Sequence, residues 1–343
     1  MTTPIERITL KHGAGGRAMR QLIEQVLLAG MTDDGAAWPV GATAMDDGAA
    51  IRVSDRWLVI TTDSHVVQPA IFPGGDIGRL AVCGTVNDLA MMGATDVLGL
   101  TCAVILEEGF ARETLVRVHE SMREACSEAH APIVTGDTKV MGRGELDGIV
   151  LNTTGIALAQ DLVRDNGLRA GDRLIVTGTV GDHGLAIMAA RHALGLEGTL
   201  KSDVAPLNGL VRAAMAAAPG AITAMKDPTR GGVSSALHEM ASKAHVGVVV
   251  HEPSVPVSEA VRGAAELLGI DPLNVANEGK ALIGVDARAA DAVLAALRRH
   301  PLGRDAAIIG TAVAERPGLI VLDTGFGRRL LAEPEGEPLP RIC

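Results

Sequence analysis

Residues 57–65, WLVITTDSH, decide how the first half of the chain is read. Trp57 to Thr61 is an apolar, β-branched run with the character of a buried strand. A shorter run, Ile51-Arg52-Val53, precedes it across the turn Ser54-Asp55-Arg56, so the two read as paired strands. The longer run leads into Thr62-Asp63-Ser64-His65. That puts a carboxylate just past the end of an apolar strand, where α/β proteins build metal and phosphate sites. The figure recurs downstream, where Ala131 to Thr135 reads as a strand and delivers Gly136-Asp137-Thr138-Lys139.

Between these strands, FPGGD (72–76) is a turn whose Asp76 caps a helix running from Ile77 to Met92. That helix is apolar almost all round and must be buried. It nevertheless carries Asn87 and Asp88, and a buried Asp needs either a hydrogen-bond donor or a cation. Further strands are expected at 97–106 and 149–159, with a helix at 111–130. The polar stretch 161–172 separates this block from a second. There, strands at 173–177, 246–251, 281–285, 307–313 and 319–322 alternate with helices at 184–194, 204–218, after 226–232 (KDPTRGG), within 255–269 and at 287–299. Alternation in both halves predicts two α/β domains, 1–160 and 161–332.

At the front, residues 11–29 open with the glycine turn HGAGG and continue as an amphipathic helix with Met19, Leu22, Ile23, Val26 and Leu27 on one stripe. The amides around Gly15 and Gly16 could hold a phosphate or simply start a packing helix. Arg230 and the glycines of KDPTRGG form a second candidate anion site. At the far end, residues 333–343, EPEGEPLPRIC, are rich in proline and glutamate and stop on Cys343. Such a segment buries too little to order itself. Eleven residues at about 3.1 Å each span roughly 30 Å. It reads as a frayed end or as a flexible arm that carries a thiol.

Composition narrows the classes. The chain has 343 residues, 47% hydrophobic but only 1% aromatic, and a net charge of −10. Without a basic block or stacking aromatics, no nucleic-acid partner is expected. There is no leader-like segment, and no apolar run is long enough for a membrane span. Four cysteines without a CxxC pair suit reduced thiols in a cytoplasm. Cys83, Cys102 and Cys126 read as small buried residues, and His12, His65 and His183 as turn histidines. Phosphate chemistry on so acidic a chain needs a metal ion, and the hard oxygens of Asp46, Asp47, Asp63, Asp88 and Asp137 suit Mg²⁺ if they converge.

DDGAA (46–50), TTDS (61–64), NDLA (87–90) and GDTK (136–139), in that order, resemble the ATP-binding half of the PurM-like (AIR synthetase-related) superfamily. HGAGG (12–16), FPGGDIG (72–78), TGDTKV (135–140), DPTRGGV (227–233), ANEGK (276–280) and PLPRIC (338–343) resemble, within it, the HypE family of hydrogenase maturation proteins. The likeness covers essentially the whole chain, and PRIC is its most specific element. It implies a PurM-like two-domain α/β fold whose N-terminal domains pair through their sheets in a homodimer, with ATP and Mg²⁺ bound near that interface. It also implies Asp47, Asp63, Asp88 and Asp137 as the metal–phosphate set, although Gly48 interrupts the superfamily's DDAA pattern. Gly15, Gly16, Asn87, Asp88, Thr138 and Lys139 would contact the nucleotide. Partners would be a HypF-type carbamoyltransferase and a HypC–HypD-type iron scaffold.

The activity so implied is ATP-dependent dehydration of an S-carbamoyl group on Cys343 to a thiocyanate, which supplies cyanide to the iron of [NiFe] hydrogenases. Catalysis then falls to Cys343 as carrier, Lys139 at the phosphates and Glu278 as base, with Lys280 able to pair with Glu278. Two rivals remain. One is a PurM-like synthetase or kinase acting on a free small molecule. HGAGG argues against its selenophosphate synthetase-like form, which keeps a reactive cysteine in that loop. The other is a nucleotide-binding scaffold whose tail only docks.

Overall fold

The computed structural model describes residues 5, 7–31, 35, 37–192, 194–195, 200–335 and 342–343. The proline-rich arm from 336 to 341 lies outside the described residues, as do the first four residues of the chain.

The first half holds β1 (Ala49–Val53), β2 (Arg56–His65), a short hairpin of β3 (Ile71–Phe72) and β4 (Gly75–Asp76), β5 (Asp96–Glu107), β6 (Ile133–Met141) and β7 (Ile149–Ala159). Its helices are α1 (Gly16–Leu22), α2 (Ile77–Met91) and α3 (Arg112–Ala129). Five strands form one sheet in the order β1-β2-β7-β5-β6, antiparallel except for the parallel pair β5–β6. β7 alternates strictly between buried and half-buried residues, the mark of a sheet packed on one face only. Its inward Thr153 bonds Thr85 of α2, which identifies the packed face. α2 forms where it does because Asp76 accepts from the amides of Gly78 and Arg79, the N-cap expected from the sequence. Every side of α2 is buried, as a helix between two layers requires.

The second half holds β8 (Arg173–Val176), β9 (Ile222–Lys226), β10 (Gly247–His251), β11 (Leu282–Val285), β12 (Ala307–Val313), β13 (Ile320–Asp323) and β14 (Arg328–Leu331). They form a seven-stranded sheet in the order β14-β13-β10-β12-β8-β11-β9. Helices α4 (Asp182–His192), α5 (Asn208–Ala217), α6 (Gly232–Ala244), α7 (Glu259–Leu268) and α8 (Ala290–Arg299) pack around it. Two α/β units follow one another along the chain, as the alternation predicts.

Four details differ from the sequence reading. β2 continues through the TTDSH stretch because its ladder with β7 runs on to His65 opposite Leu151. β6 likewise continues to Met141, opposite Glu107 of β5. Asp63 and Asp137 therefore sit within strands rather than beyond their ends. Polar side chains do not stop a strand whose backbone still has a partner. β9 was not anticipated, and it delivers the KDPTRGG stretch. The helix at 11–29 is shorter than its stripe suggests: α1 ends at Leu22, a π-turn spans Ile23–Leu27, and Val26 and Leu27 are exposed.

Candidate active site

A cavity of 390 Å³ opens between the two units. β2 contributes Thr61 and Asp63, α2 contributes Asp88, and the loop before β1 contributes Asp46 and Asp47. From the second unit come Lys226, Asp227 and Arg230 at the end of β9, and Glu278 ahead of β11. Gly15 and Gly16 form part of the rim, and Cys343 closes the list of chemically active walls. The cavity thus joins residues from both ends of the chain.

Charge governs the site. Asp88 accepts a hydrogen bond from Thr61 Oγ1 at 2.9 Å. Burial, reinforced by the negative charges of Asp227, Asp63 and Asp47, pushes its carboxyl well above the usual range. Asp63 moves the other way. Burial alone would raise it, but the His65 ring, with Nε2 3.1 Å from Oδ2, together with Arg230 and the Ser64 amide, holds it down at about 2. Positions 63 and 65 share one face of β2, so this pair is a product of the strand's two-residue period. Burial first, and then Asp227 and Asp46, push Asp47 up to about 7 against the opposing pull of Lys226. Lys226 donates to Asp47 Oδ1 at 2.5 Å and lies 3.3 Å from Glu239. Its ammonium stays charged because those carboxylates outweigh the desolvation that burial imposes.

A ladder of ion pairs ties the loop before β1 to the second unit. Arg164 meets Asp46 at 3.1 Å, and Lys243 donates to both Asp165 and the Met45 carbonyl at 2.5 Å. Glu278 is the opposite case. It is 3% exposed, and its Oε1 has no hydrogen-bond partner among the described residues. Burial, aggravated by Asp227, Asp63 and Asp203, raises its carboxyl well above the ordinary range. Lys280 does not pair with it. Lys280 donates to Asp203 at 2.9 Å, and Asp203 in turn accepts the Glu278 backbone amide at 3.0 Å. The base candidate is therefore held by its main chain, and the charge of Arg230 only partly offsets the upward push of burial.

Of the residues expected from the sequence, Asp47, Asp63, Asp88, Gly15, Gly16, Glu278 and Cys343 meet at this cavity. Asn87 does not face it: Nδ2 donates to the carbonyls of Ala205 and Glu278, and Oδ1 accepts from the Leu207 amide. The residue sutures α2 to the second unit, which corrects its reading as a nucleotide contact. Asp137, Thr138 and Lys139 also stand apart. They lie on the edge strand β6, where Asp137 and Lys139 pair at 3.4 Å with side chains 66% and 69% exposed. Register places Asp137 beside Ala103, Asn152 and Ser64 in turn, three strand spacings or about 14 Å from β2. Their expected roles at the metal and phosphates are not met within the cavity of one chain. Among the described residues, no three His, Cys, Asp or Glu side chains are grouped closely enough to hold a metal ion.

Some participants were not singled out from the sequence. Lys226 and Asp227 depend on β9, and Asp203 sits in an irregular segment. Two histidines read as turn residues prove otherwise: His65 is buried beside Asp63, and His183 is fully buried under the tail. His12 is a turn histidine, its Nδ1 accepting from the Thr9 amide. Cys83 and Cys102 are buried as expected, whereas Cys126 is only half-buried; burial raises all three thiols.

The tail is docked at both described ends. The Arg17 and Ala18 amides donate to the carbonyls of Pro334 and Glu335, and Arg17 and Arg20 pair with Glu335 and Glu333. Gly16 permits this crossing: its φ is +68°, and a Cβ there would collide with the Pro334 carbonyl. Ile342 is buried and Cys343 lines the cavity. Arg230 and Cys343 line the same cavity, and the Cys343 charge is the foremost cause of the upward shift of Arg230. The expectation of a segment unable to order itself fails at these points because the body of the protein supplies partners.

The chain is similar to known proteins along most of its length. Residues 45–159 match the model for the N-terminal domain of AIR synthase related proteins, and residues 169–322 match the C-terminal one. The chain is 47% identical over 340 residues to the carbamoyl dehydratase HypE of Rhizobium leguminosarum bv. viciae, covering 98% of this chain and 95% of that one. Among solved structures it is similar to a HypE–HypF complex, with a TM-score of 0.84 and 42% identity over 91% of this chain and 99% of that one. It is also similar to HypE in complex with ATP, with a TM-score of 0.81 and 40% identity over 98% and 100% of the two chains.

Proposed function

The chain belongs to the AIR synthase related family and, within it, to the HypE carbamoyl dehydratases, and on that premise we propose that it uses ATP to dehydrate an S-carbamoyl group carried on its own Cys343. The observation that carries the proposal is the position of Cys343, the last residue, in the same cavity as Asp63, Asp88 and Glu278.

Removing water from a carbamoyl group is difficult because oxide is a poor leaving group. The carbamoyl oxygen attacks the γ-phosphorus of ATP, ADP departs, and one N–H proton is lost, leaving a phosphorylated imidate on sulfur. The C–O bond then breaks, phosphate takes its electron pair, the second N–H proton leaves and C≡N forms. Two demands fall on the protein: a base near the nitrogen and positive charge near the phosphates. Glu278 meets the first. A carboxylate whose proton affinity is raised by burial is a stronger base once ionised, and its Oε1 is uncommitted among the described residues. Arg230 and Lys226 bring fixed positive charge to the cavity wall.

The described carboxylates are not grouped closely enough to enclose a divalent cation by themselves, so ATP phosphate and water oxygens would have to complete its shell. Asp47 Oδ2 is buried without a hydrogen-bond partner among the described residues, and the neighbouring carboxylates raise one another's affinity for positive charge. Asp47, Asp63 and Asp88 would hold Mg²⁺, which when bound offsets the charge of the ATP phosphates.

Asp137, Thr138 and Lys139 enter through a homodimer. The outer face of the first sheet presents half-buried Leu58, Ile60, Ile156 and Leu158, and β6 is exposed along almost its whole length. Unpartnered apolar faces and free strand edges call for a cover. Pairing of two such sheets would deliver the Asp137–Lys139 stretch to a nucleotide bound near the interface. Similarity to the HypE–HypF complex supports a HypF-type carbamoyltransferase as donor. A HypC–HypD-type iron scaffold is the acceptor we assign to the cyanide, for the [NiFe] hydrogenase. Among the described residues no helix is long and apolar enough to cross a membrane; we place the reaction in the cytoplasm, where the four thiols would stay reduced.

Intact-protein mass spectrometry after incubation with ATP, Mg²⁺, carbamoyl phosphate and the carbamoyltransferase tests the proposal. A thiocyanate adduct confined to Cys343, absent in Cys343→Ser, is expected. ATP consumption with Cys343 unmodified would overturn it.

A further inference from the structure

The penultimate residue, Ile342, has environmental features that the chemistry at Cys343 does not require. Its side chain is 1% exposed, although it is one residue from the end of a polar, proline-rich segment. It belongs to the same core cluster as Phe72, Leu200, Val204, Val275 and Ala276. Its carbonyl lies 2.6 Å from His183 Nε2. A carbonyl only accepts, so Nε2 carries the proton. Burial first of all pushes the His183 ring toward its neutral form, which leaves Nδ1 as an acceptor for the Ser202 hydroxyl at 2.8 Å. Ser202 Oγ accepts in turn from the Val204 amide at 3.1 Å. The proton positions form one directed chain: Val204 N–H to Ser202, Ser202 O–H to His183, His183 N–H to Ile342.

The FPGGD turn shapes the same place. Phe72 meets the His183 ring edge-on, with centroids 5.6 Å apart. The Ser202 amide donates to the Pro73 carbonyl at 2.8 Å. Gly74, with φ +94°, lets that strand of chain pass, since a Cβ there would stand 2.7 Å from the Ser202 carbonyl. Neither His183, Ser202 nor Phe72 lines the nucleotide-sized cavity. These residues build a separate, buried, polar-floored seat next to it.

We infer that this seat is a receptor for the C-terminal residue pair: Ile342 plugs it, His183 registers the plug through its carbonyl, and Cys343 is thereby aimed into the cavity that Arg230 also lines. The ligand class is an aliphatic residue at the penultimate position of the chain's own tail. His183 is a positioning residue, because it touches the carrier's backbone and not the reacting atoms. The meaning of the seat for dehydration rests on the proposed function, but the docking itself does not.

The test is the rate at which a bulky polyethylene-glycol maleimide labels Cys343, read as the gel-shifted band that Cys343→Ser lacks, with neither ATP nor a carbamoyl donor present. The full-length protein and Ile342→Val are expected to label slowly. Ile342→Ser and His183→Ala should label at least tenfold faster with unchanged far-UV circular dichroism. Should His183→Ala not fold, the Ile342 pair decides alone. Equal rates in the wild type and Ile342→Ser, whether both slow or both fast, would overturn the assignment. A protein that shows the protection pattern yet never forms a thiocyanate would leave the receptor standing and remove the proposed reaction.

Discussion

Glu278 and Asp227 show how single side chains carry the chemistry and its thermodynamic burden. Glu278 sits where a carboxylate charge is disfavoured, with its main chain fixed by Asp203 and Asn87 and one oxygen unpartnered among the described residues. Glu278→Gln keeps the shape and removes the base. We expect the dehydration rate of the carbamoyl-loaded protein to fall at least about 100-fold, the usual scale for a lost general base, with the carbamoyl adduct accumulating in the mass spectrum. In the wild type that rate should climb with pH above the ordinary carboxylate range, because the raised group must first ionise; in the Gln variant the climb should vanish. Asp227 is pushed up to about 6, from 3.8, by burial and by Asp63 against the pull of Lys226. The folded state thus holds this proton more tightly than the unfolded chain. Its contribution to stability is fully present below about pH 4 and is lost as pH rises through about 6. Asp227→Asn should therefore stabilise the nucleotide-free protein at pH 7.5 by on the order of 1–3 kcal/mol, seen as a higher melting temperature, and flatten the decline of stability between pH 5 and 7.5. A lower melting temperature would show that Asp227 is instead stabilised by its neighbours.

Among the elements, α2 connects folding to the site most directly, since it carries Asp88 to the cavity and Asn87 to the second unit. Its start depends on Asp76, buried and accepting from two amides. Asp76→Ala should cost about 1–2 kcal/mol in urea unfolding with an unchanged slope; a loss below about 0.3 kcal/mol would mean the helix start is held by packing alone. This helix was legible in the sequence because its signals are local: a capping Asp after a glycine turn, then an unbroken apolar run. Strand limits were less legible. The polar stretches at 62–65 and 136–139 look like loops until the partners β7 and β5 are known. β9 escaped notice because ITAMK is short and has little β-branched character, although Pro219-Gly220 marks a turn before it, and Lys226 and Asp227 were lost with it as site residues. Asp63 and Asp88 could be found because a carboxylate in an apolar setting is conspicuous; Glu278, in the polar loop ANEGK, was found only through the family resemblance. The seat of Ile342 could not, since one residue at a chain end has no periodicity and its burial depends on side chains 66 to 270 positions away.

At the scale of the whole molecule, one chain leaves the site divided. The cavity gathers Asp47, Asp63, Asp88, Glu278 and Cys343, while Asp137 and Lys139 stand exposed on the edge of the first sheet. Ile60 and Ile156 face each other across the β2–β7 ladder on the outer side of that sheet, half-buried in the single chain. A charge introduced there must be desolvated if two sheets pair face to face. Ile156→Asp should convert a dimer to a monomer in light scattering, with Cys343 still protected and thiocyanate formation reduced at least tenfold. If Lys139 acts across the interface, subunits can also rescue one another. Lys139→Ala chains keep their Cys343 and lack the lysine; Cys343→Ser chains keep the lysine and lack the carrier. Each alone should be inactive. Mixed and re-equilibrated, they should regain partial thiocyanate formation, and mass spectrometry should find it only on the Lys139→Ala chains, whose Cys343 meets a lysine from the other subunit. A mixture as silent as its components, with exchange of subunits verified, would place Lys139 in the service of its own chain or of neither.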